Sequence, residues 1–320
     1  MSISILGAGA FGTSLAIALA SKEPVALWAR NQEHVDKMMC ERQNSRKLEG
    51  AKFPDQLELT SQLTSACSND ILLLAIPTQL LGSFLKKNAT HLAGKQLVAC
   101  CKGIDLTTGL GPIELINSII PTASTAILTG PSFAYDIALG LPTALSLASA
   151  DETIGQSLQD RLSTPTLRLY RTSDVVGAQL GGALKNVFAI AAGAAIGAGL
   201  GESARAAIIT RGFSEMSRFA THFGARPQTL AGLSGFGDLI LTCTSNLSRN
   251  YRFGLALGAE ALSNSTSTIE GAATSFAVEA LSEAHQIDMP ITQSITAIIN
   301  EESTVAAEMK HLLSRPLKEE

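Results

Sequence analysis

Several short stretches of this 320-residue chain carry polar groups that packing does not require. In Gly181-Gly182-Ala183-Leu184-Lys185-Asn186, a lysine and an asparagine open a helical segment whose next turns are almost wholly apolar. Partial desolvation lowers a lysine's pKa and makes it usable as a proton acceptor near neutral pH; the alternative is a lysine snorkelling from an apolar wall. Gly235-Phe236-Gly237-Asp238-Leu239 offers the Asp238 carboxylate, either to orient that lysine or a substrate hydroxyl, or to cap the helix that follows. Leu247-Ser248-Arg249-Asn250 sets a hydroxyl, a guanidinium and an amide in succession, a local kit for a phosphate monoester or else an ordinary polar loop. Lys102, in Ala99-Cys100-Cys101-Lys102-Gly103, follows a buried strand at the end where open α/β sheets bind ligands. Thr129-Gly130-Pro131-Ser132-Phe133-Ala134 is a second strand-end turn, built of small residues suited to close backbone approach. Both of these also read as plain loops.

The element that has to position a ligand for such groups lies at the start. Ser2 to Leu6 reads as a strand, Gly7-Ala8-Gly9-Ala10-Phe11-Gly12 as a glycine turn, Thr13 to Ala20 as a helix and Val25 to Trp28 as a second strand. Gly-x-Gly-x-x-Gly alone is weak evidence of function, but between a strand and a helix it has a mechanism. Gly7 permits the tight turn, Gly9 lets backbone approach a pyrophosphate, and Gly12 lets helix pack on strand. The helix N-terminus supplies unpaired N–H groups and a positive dipole end. Adenosine-ribose recognition in such units uses an acid roughly twenty residues further on. Here the corresponding position is Arg30, after Val25-Ala26-Leu27-Trp28-Ala29. A guanidinium pairs with a 2′-phosphate that a carboxylate would repel, which predicts that NADP is accepted; the bland reading is a solvated surface arginine.

Further apolar runs at Ile71 to Ile76, Gln96 to Cys100, Thr125 to Leu128 and Thr143 to Leu147 alternate with helical or loop segments. That pattern predicts an α/β fold with a Rossmann-type, doubly wound, mainly parallel sheet. Beyond about Asp174 the chain is rich in Ala, Leu and Ile at helical spacing, so an all-α C-terminal domain is expected, with domains at 1–178 and 179–320. A formal net charge of -4 leaves no footprint for nucleic acid. Five cysteines without C-x-x-C spacing and five histidines without metal-ligand spacing predict neither a disulfide framework nor a metal site. The N-terminus lacks the basic region of a signal peptide. The most lipid-like stretch, between Lys185 and Glu202, holds too few residues to cross a bilayer. A cytoplasmic protein without membrane insertion is the expectation.

GAGAFGTSLA, LWAR, NSRKLEGAKFP, CKGIDL, LTGPSFA, GGALKN, ITRGFSEM, GLSGFGDLILTCTSNLSRN and IEG occur in an order and spacing that resembles bacterial NAD(P)-dependent glycerol-3-phosphate dehydrogenase over nearly the whole chain. The resemblance implies reversible reduction of dihydroxyacetone phosphate to sn-glycerol 3-phosphate, for glycerophospholipid synthesis, with NADP or NAD and no metal. It implies a homodimer. It makes Lys185 the general acid/base, with Asp238 and Asn250 as substrate-contacting helpers, and Lys102, Gly130, Ser132, Ser248 and Arg249 as further substrate contacts, Arg249 on or near the phosphate. Cofactor contacts implied are Gly7, Gly9, Ala10, Phe11, Gly12, Arg30, Lys102, Ala134, Arg249, Thr268 and Glu270. Phe11 stands where relatives often carry Trp or Tyr. A related two-domain dehydrogenase acting on another small hydroxy acid or phosphorylated substrate is the alternative reading.

Overall fold

The structure is a computed structural model and describes residues 2–261 and 269–316. Its strands are β1 (Ile3–Leu6), β2 (Val25–Trp28), β3 (Gln43–Asn44), β4 (Leu48–Lys52), β5 (Leu57–Thr60), β6 (Ile71–Leu74), β7 (Gln96–Ala99), β8 (Ser124–Thr129), β9 (Thr143–Ala148) and β10 (Leu167–Thr172). Eight form one sheet in the order β10-β9-β8-β7-β6-β1-β2-β5, while β3 and β4 pair as a separate antiparallel ribbon. Every pairing in the large sheet is parallel except β8 with β9.

The central strands read ISIL and ILLL because both faces are covered, so apolar residues run on instead of alternating. Ile3, Ile5 and Leu27 enter one apolar layer and Leu6, Leu72 and Leu74 the other. Leu6 pairs in register with both Trp28 and Leu74, so β1, β2 and β6 end level with one another. From β1 the chain builds outward through β2 to β5 and then returns to the other side of β1 at β6. That reversal creates the crevice beyond the carboxyl ends where doubly wound sheets bind ligands.

Four strands escape the sequence reading. β5 and β10 are the two edges of the sheet, and in each exposed polar residues interrupt the buried apolar ones, as Glu58 and Arg168 show. The strands β3 and β4 are a short polar ribbon carrying only Leu48 and Ala51 inward as apolar groups.

The chain divides into two compact units, one of residues 1–102 with 110–179 and one of residues 103–109 with 180–320. The segment 103–109, which lies within the range 1–178 expected for the first domain, is grouped with the second unit. Asp105 stabilises it by accepting hydrogen bonds from the Thr108 backbone N–H at 2.9 Å and hydroxyl at 2.8 Å. Gly109 then lies against Leu281, on the helix Glu270–Ala284 of the second unit. All regular structure described in that unit is helical.

The helix bearing Lys185 runs from Val175 to Gly197 and so begins six residues before the Gly181 start expected from sequence. Asp174 starts it by accepting the Gly177 N–H at 2.8 Å. Its glycines sit where the backbone of the helix Arg249–Gly258 presses on them: a Cβ at Gly193 would sit 2.1 Å from the Tyr251 carbonyl oxygen and one at Gly197 2.2 Å from that of Leu255, and in return one at Gly254 would sit 2.1 Å from that of Ile190. At 23 residues the helix is long and apolar enough to cross a membrane, longer than the stretch marked in sequence, and 89% of its most apolar window is buried within the protein.

One buried carboxylate organises the C-terminal helices. Glu215, on the helix Gly201–His222, accepts the N–H groups of Ile291 at 2.7 Å and Thr292 at 3.3 Å, satisfying orphan donors at the start of the helix Pro290–Ile299. Burial pushes its carboxyl up to about 7, opposed by those hydrogen bonds and by the Arg218 guanidinium. A folded-state value above the unfolded one means that the folded protein binds the extra proton, so this contribution is present below about pH 4.5 and is lost as pH rises through about 7. The difference in unfolding free energy between wild type and Glu215→Gln, from urea melts at successive pH values, is therefore expected to fall by on the order of 3 kcal/mol between pH 4.5 and 8. A difference independent of pH contradicts the assignment.

Candidate active site

At the crevice of the first unit, the glycine turn is held by backbone on two sides. Gly7 adopts φ +122°, and a Cβ there would meet the Ala75 carbonyl oxygen at 2.4 Å; one on Gly12 would meet the Gly7 oxygen at 2.0 Å. Gly9 is different: nothing lies within 4 Å of a Cβ built on it. Gly9 is also the N-cap of the helix Ala10–Ala20 and has no side chain to satisfy the first-turn N–H groups. Open space beside unsatisfied helix donors fits a pyrophosphate. Ala10 and Phe11 are half-buried against the apolar layer below, as is Ala134 at the start of the helix Ala134–Ala138. Arg30 is exposed just past β2, where the Ala29 N–H donates to the Thr60 carbonyl at 3.0 Å.

Beyond β7 and β8 the structure brings three expected residues together. Lys102 is half-buried, and its Nζ donates to the Gly130 carbonyl at 3.2 Å. The Thr78 hydroxyl donates to the Lys102 carbonyl at 3.2 Å, fixing the loop from its other side. Gly130 has φ +135°, and the Ser132 hydroxyl donates back to its carbonyl at 3.4 Å.

In the second unit, Lys185 is not a snorkelling side chain. It is 6% exposed, and its Nζ donates to Asp238 Oδ1 at 2.5 Å and to Thr242 Oγ1 at 2.8 Å. The Thr242 hydroxyl in turn donates to the Asp238 carbonyl at 2.6 Å. Asp238 sits in the first turn of the helix Asp238–Thr244, where the helix dipole favours a carboxylate, and Gly237 takes the cap position that sequence left open to it. Thr242 follows Asp238 by four residues and therefore shares its helix face. That spacing is the signal by which sequence reading could have found this residue.

The Ser248-Arg249-Asn250 cluster is a helix start and not a loop. Ser248 caps the helix Arg249–Gly258, accepting the Tyr251 N–H at 3.1 Å. Asn250 is buried and bridges two neighbours, its Nδ2 donating to Asn186 Oδ1 at 2.9 Å and its Oδ1 accepting the Gly271 N–H at 3.0 Å. Arg249 is largely exposed and lies 4.0 Å from Glu270. Thr268 lies outside the described residues. Among the described residues no three His, Cys, Asp or Glu side chains are grouped to hold a metal.

The chemistry these groups offer is a buried ammonium clamped by a carboxylate and a hydroxyl, together with a dinucleotide turn. Comparison with known proteins gives this arrangement a family. Residues 2–155 match the N-terminal model of NAD-dependent glycerol-3-phosphate dehydrogenase and residues 174–310 the C-terminal one. The chain is similar to glycerol-3-phosphate dehydrogenase (NAD(P)+) of Roseobacter denitrificans, at 57% identity, and to that of a Ruegeria species, at 54%, in each case over 100% of both chains. It also resembles the crystal structure of glycerol-3-phosphate dehydrogenase from Coxiella burnetii, with a TM-score of 0.93 and 37% identity over 98% of this chain and 99% of that one. With both halves matched in order and relatives aligned end to end, the chain belongs to the NAD-dependent glycerol-3-phosphate dehydrogenase family.

Proposed function

We propose that this protein catalyses the reversible NAD(P)H-dependent reduction of dihydroxyacetone phosphate to sn-glycerol 3-phosphate, with Lys185 as the group that gives and takes the proton at the C2 oxygen. The product feeds glycerophospholipid synthesis. The observation that carries the reading is the buried Lys185, Asp238 and Thr242 cluster in a chain whose glycine turn fits a dinucleotide. The nicotinamide, when bound, supplies the hydride. Everything else falls to the chain.

During reduction, charge develops on the C2 oxygen as hydride reaches carbon, and the Lys185 ammonium stabilises that charge and then gives up a proton to it. In the reverse direction the neutral amine takes the proton back. Asp238 holds the ammonium in place, and the Thr242 hydroxyl, committed to the Asp238 carbonyl, restricts the lysine to one direction. Preorganisation of this kind removes the cost of reorienting dipoles during reaction. We assign Lys102, Gly130, Ser132, Ser248, Arg249 and Asn250 to substrate contact, with Arg249 for the phosphate, whose geometry suits a guanidinium. Gly7, Gly9, Ala10, Phe11, Gly12, Arg30, Lys102, Ala134, Arg249 and Glu270 are the proposed cofactor contacts.

We further take the protein to be a cytoplasmic homodimer that does not insert into membranes. Four of its five cysteines are buried and none forms a disulfide, which suits a reducing compartment, and its most apolar helix spends its surface on the protein's own interior. Light scattering on the purified protein is expected to give twice the chain mass of 33.4 kDa, and a mass of one chain contradicts the dimer.

Lys185→Ala is expected to lower kcat roughly 10²–10⁴-fold while calorimetric binding of NADPH persists. Turnover near wild type in that variant overturns the assignment. Removing one partner of a buried ion pair leaves an uncompensated charge, so Asp238→Ala is expected to lose about 3–5 kcal/mol of stability in urea melts as well as activity. Thr242→Val, which deletes one hydroxyl, is expected to lose about 1 kcal/mol. Equal losses in the two variants contradict this account of the pair.

A further inference from the structure

Two helices of the second unit end in the same way, and each ends on a histidine. Helix Gly201–His222 closes with the Ala225 N–H donating to the Ala220 carbonyl at 3.0 Å and the Gly224 N–H to that of Thr221 at 2.9 Å, Gly224 having φ +91°. Helix Glu270–Ala284 closes with the Ile287 N–H donating to the Ser282 carbonyl at 2.8 Å and the Gln286 N–H to that of Glu283 at 3.2 Å, Gln286 having φ +55°. Both are left-handed caps that fix the last turn of a helix. They place His222 in the last turn of one helix and His285 at the cap of the other. These are the negative ends of two helix dipoles, where a cation is favoured.

The two imidazoles meet. His222 Nε2 lies 3.2 Å from His285 Nδ1, and the rings stand edge to face with centroids 5.0 Å apart. Phe223 orients both, its ring edge to face with each at centroid distances of 5.1 Å from His222 and 5.0 Å from His285. The fully buried Phe219 backs that ring at 4.9 Å. A wedge of this kind removes rotamer freedom before any ligand arrives. Two ring nitrogens at this separation need an electrophile between them, either a proton on one ring or a metal ion shared by both. Metal–nitrogen bonds of about 2.0–2.1 Å spanning the 3.2 Å gap subtend about 100–106° at the ion, close to tetrahedral. The pair therefore already has the bite of a chelate.

We propose that His222 and His285 bind one divalent transition-metal ion of the zinc or nickel type, with water completing its coordination, and that the ion staples the ends of the two helices together. Imidazole suits such ions, whereas magnesium and calcium demand oxygen ligands. Both histidines are exposed, so an ion reaches them without opening the fold. Two protein ligands, against the three or four of a resident zinc, make the site an exchangeable one. The histidines lie 63 residues apart in the chain, which is why no spacing marks them in sequence. For the same reason the unfolded chain does not hold them together, and binding appears as added stability of the fold. Neither residue is assigned to substrate or cofactor, so the site is independent of the dehydrogenase reading.

The test uses the full-length chain, freed of metal with a chelator, and its His222→Gln and His285→Gln variants, which keep a polar side chain at each exposed position. Calorimetric titration with Zn²⁺ and with Ni²⁺ is expected to show one ion bound per wild-type chain. At roughly tenfold excess over its Kd, each ion is expected to raise the Tm by about 2–4 °C. Mg²⁺ at the same concentration is expected to do neither. Each variant is expected to weaken both ions by more than about tenfold and to cancel the rise in Tm, with its metal-free Tm as the fold control. No ion bound by wild type overturns the site, as does binding that survives in both variants; the imidazoles then share only a proton. Loss in one variant alone overturns the pair, since the second ligand then lies elsewhere.

Discussion

A charged lysine taken out of water has to be compensated where it sits, and this requirement shapes the second unit. Lys185 lies on a helix packed almost wholly in apolar side chains, so its ammonium is stable there only with acceptors in contact. Asp238 and Thr242 provide them, one helical turn apart on one short helix. The π-helical turn Leu233–Gly237 leads into that helix, and Gly181 lets its backbone approach closely, since a Cβ there would stand 2.7 Å from the Ser234 carbonyl oxygen. A glycine-rich helix that is poor by propensity alone is therefore explained by the ion pair it has to deliver.

The first unit meets a different constraint. Its ligand brings the charge, so the protein offers donors and withholds side chains. The turn at Gly9 leaves open space beside the helix N-terminus, and the level ends of β1, β2 and β6 carry the turn, Arg30 and Ala75 to one edge of the sheet. Rigidity comes from below, through two apolar layers on the faces of the sheet, and laterally from Asn44. Binding of the hydride carrier and handling of the proton are thus assigned to elements with opposite electrostatic designs.

Much of this was legible in sequence because it depends on local pattern. Buried parallel strands are continuous apolar runs, and a glycine turn between strand and helix has few alternatives. The edge strands β5 and β10 were not legible, since their buried apolar residues are interrupted by exposed polar ones. The ribbon β3 and β4 is too short to show a period. Lys185 and Asp238 could be named, but whether the lysine was buried or snorkelling depended on contacts 53 residues apart in the chain. Asn250 is assigned to the substrate, and its amide also joins Asn186 to Gly271, a contact that no spacing rule reveals. Glu215 and Asn44 stayed hidden for the same reason: a buried polar residue is identified by its partners, and theirs are distant in sequence.

The central claim is that these two devices serve one reaction on a phosphorylated ketone. It is tested most directly by the initial rate of NADPH and NADH oxidation with dihydroxyacetone phosphate, set beside unphosphorylated dihydroxyacetone and a small 2-keto acid. The account predicts rapid oxidation with dihydroxyacetone phosphate and little with the other two. No oxidation of either cofactor with dihydroxyacetone phosphate, or a faster rate with the keto acid, would contradict it.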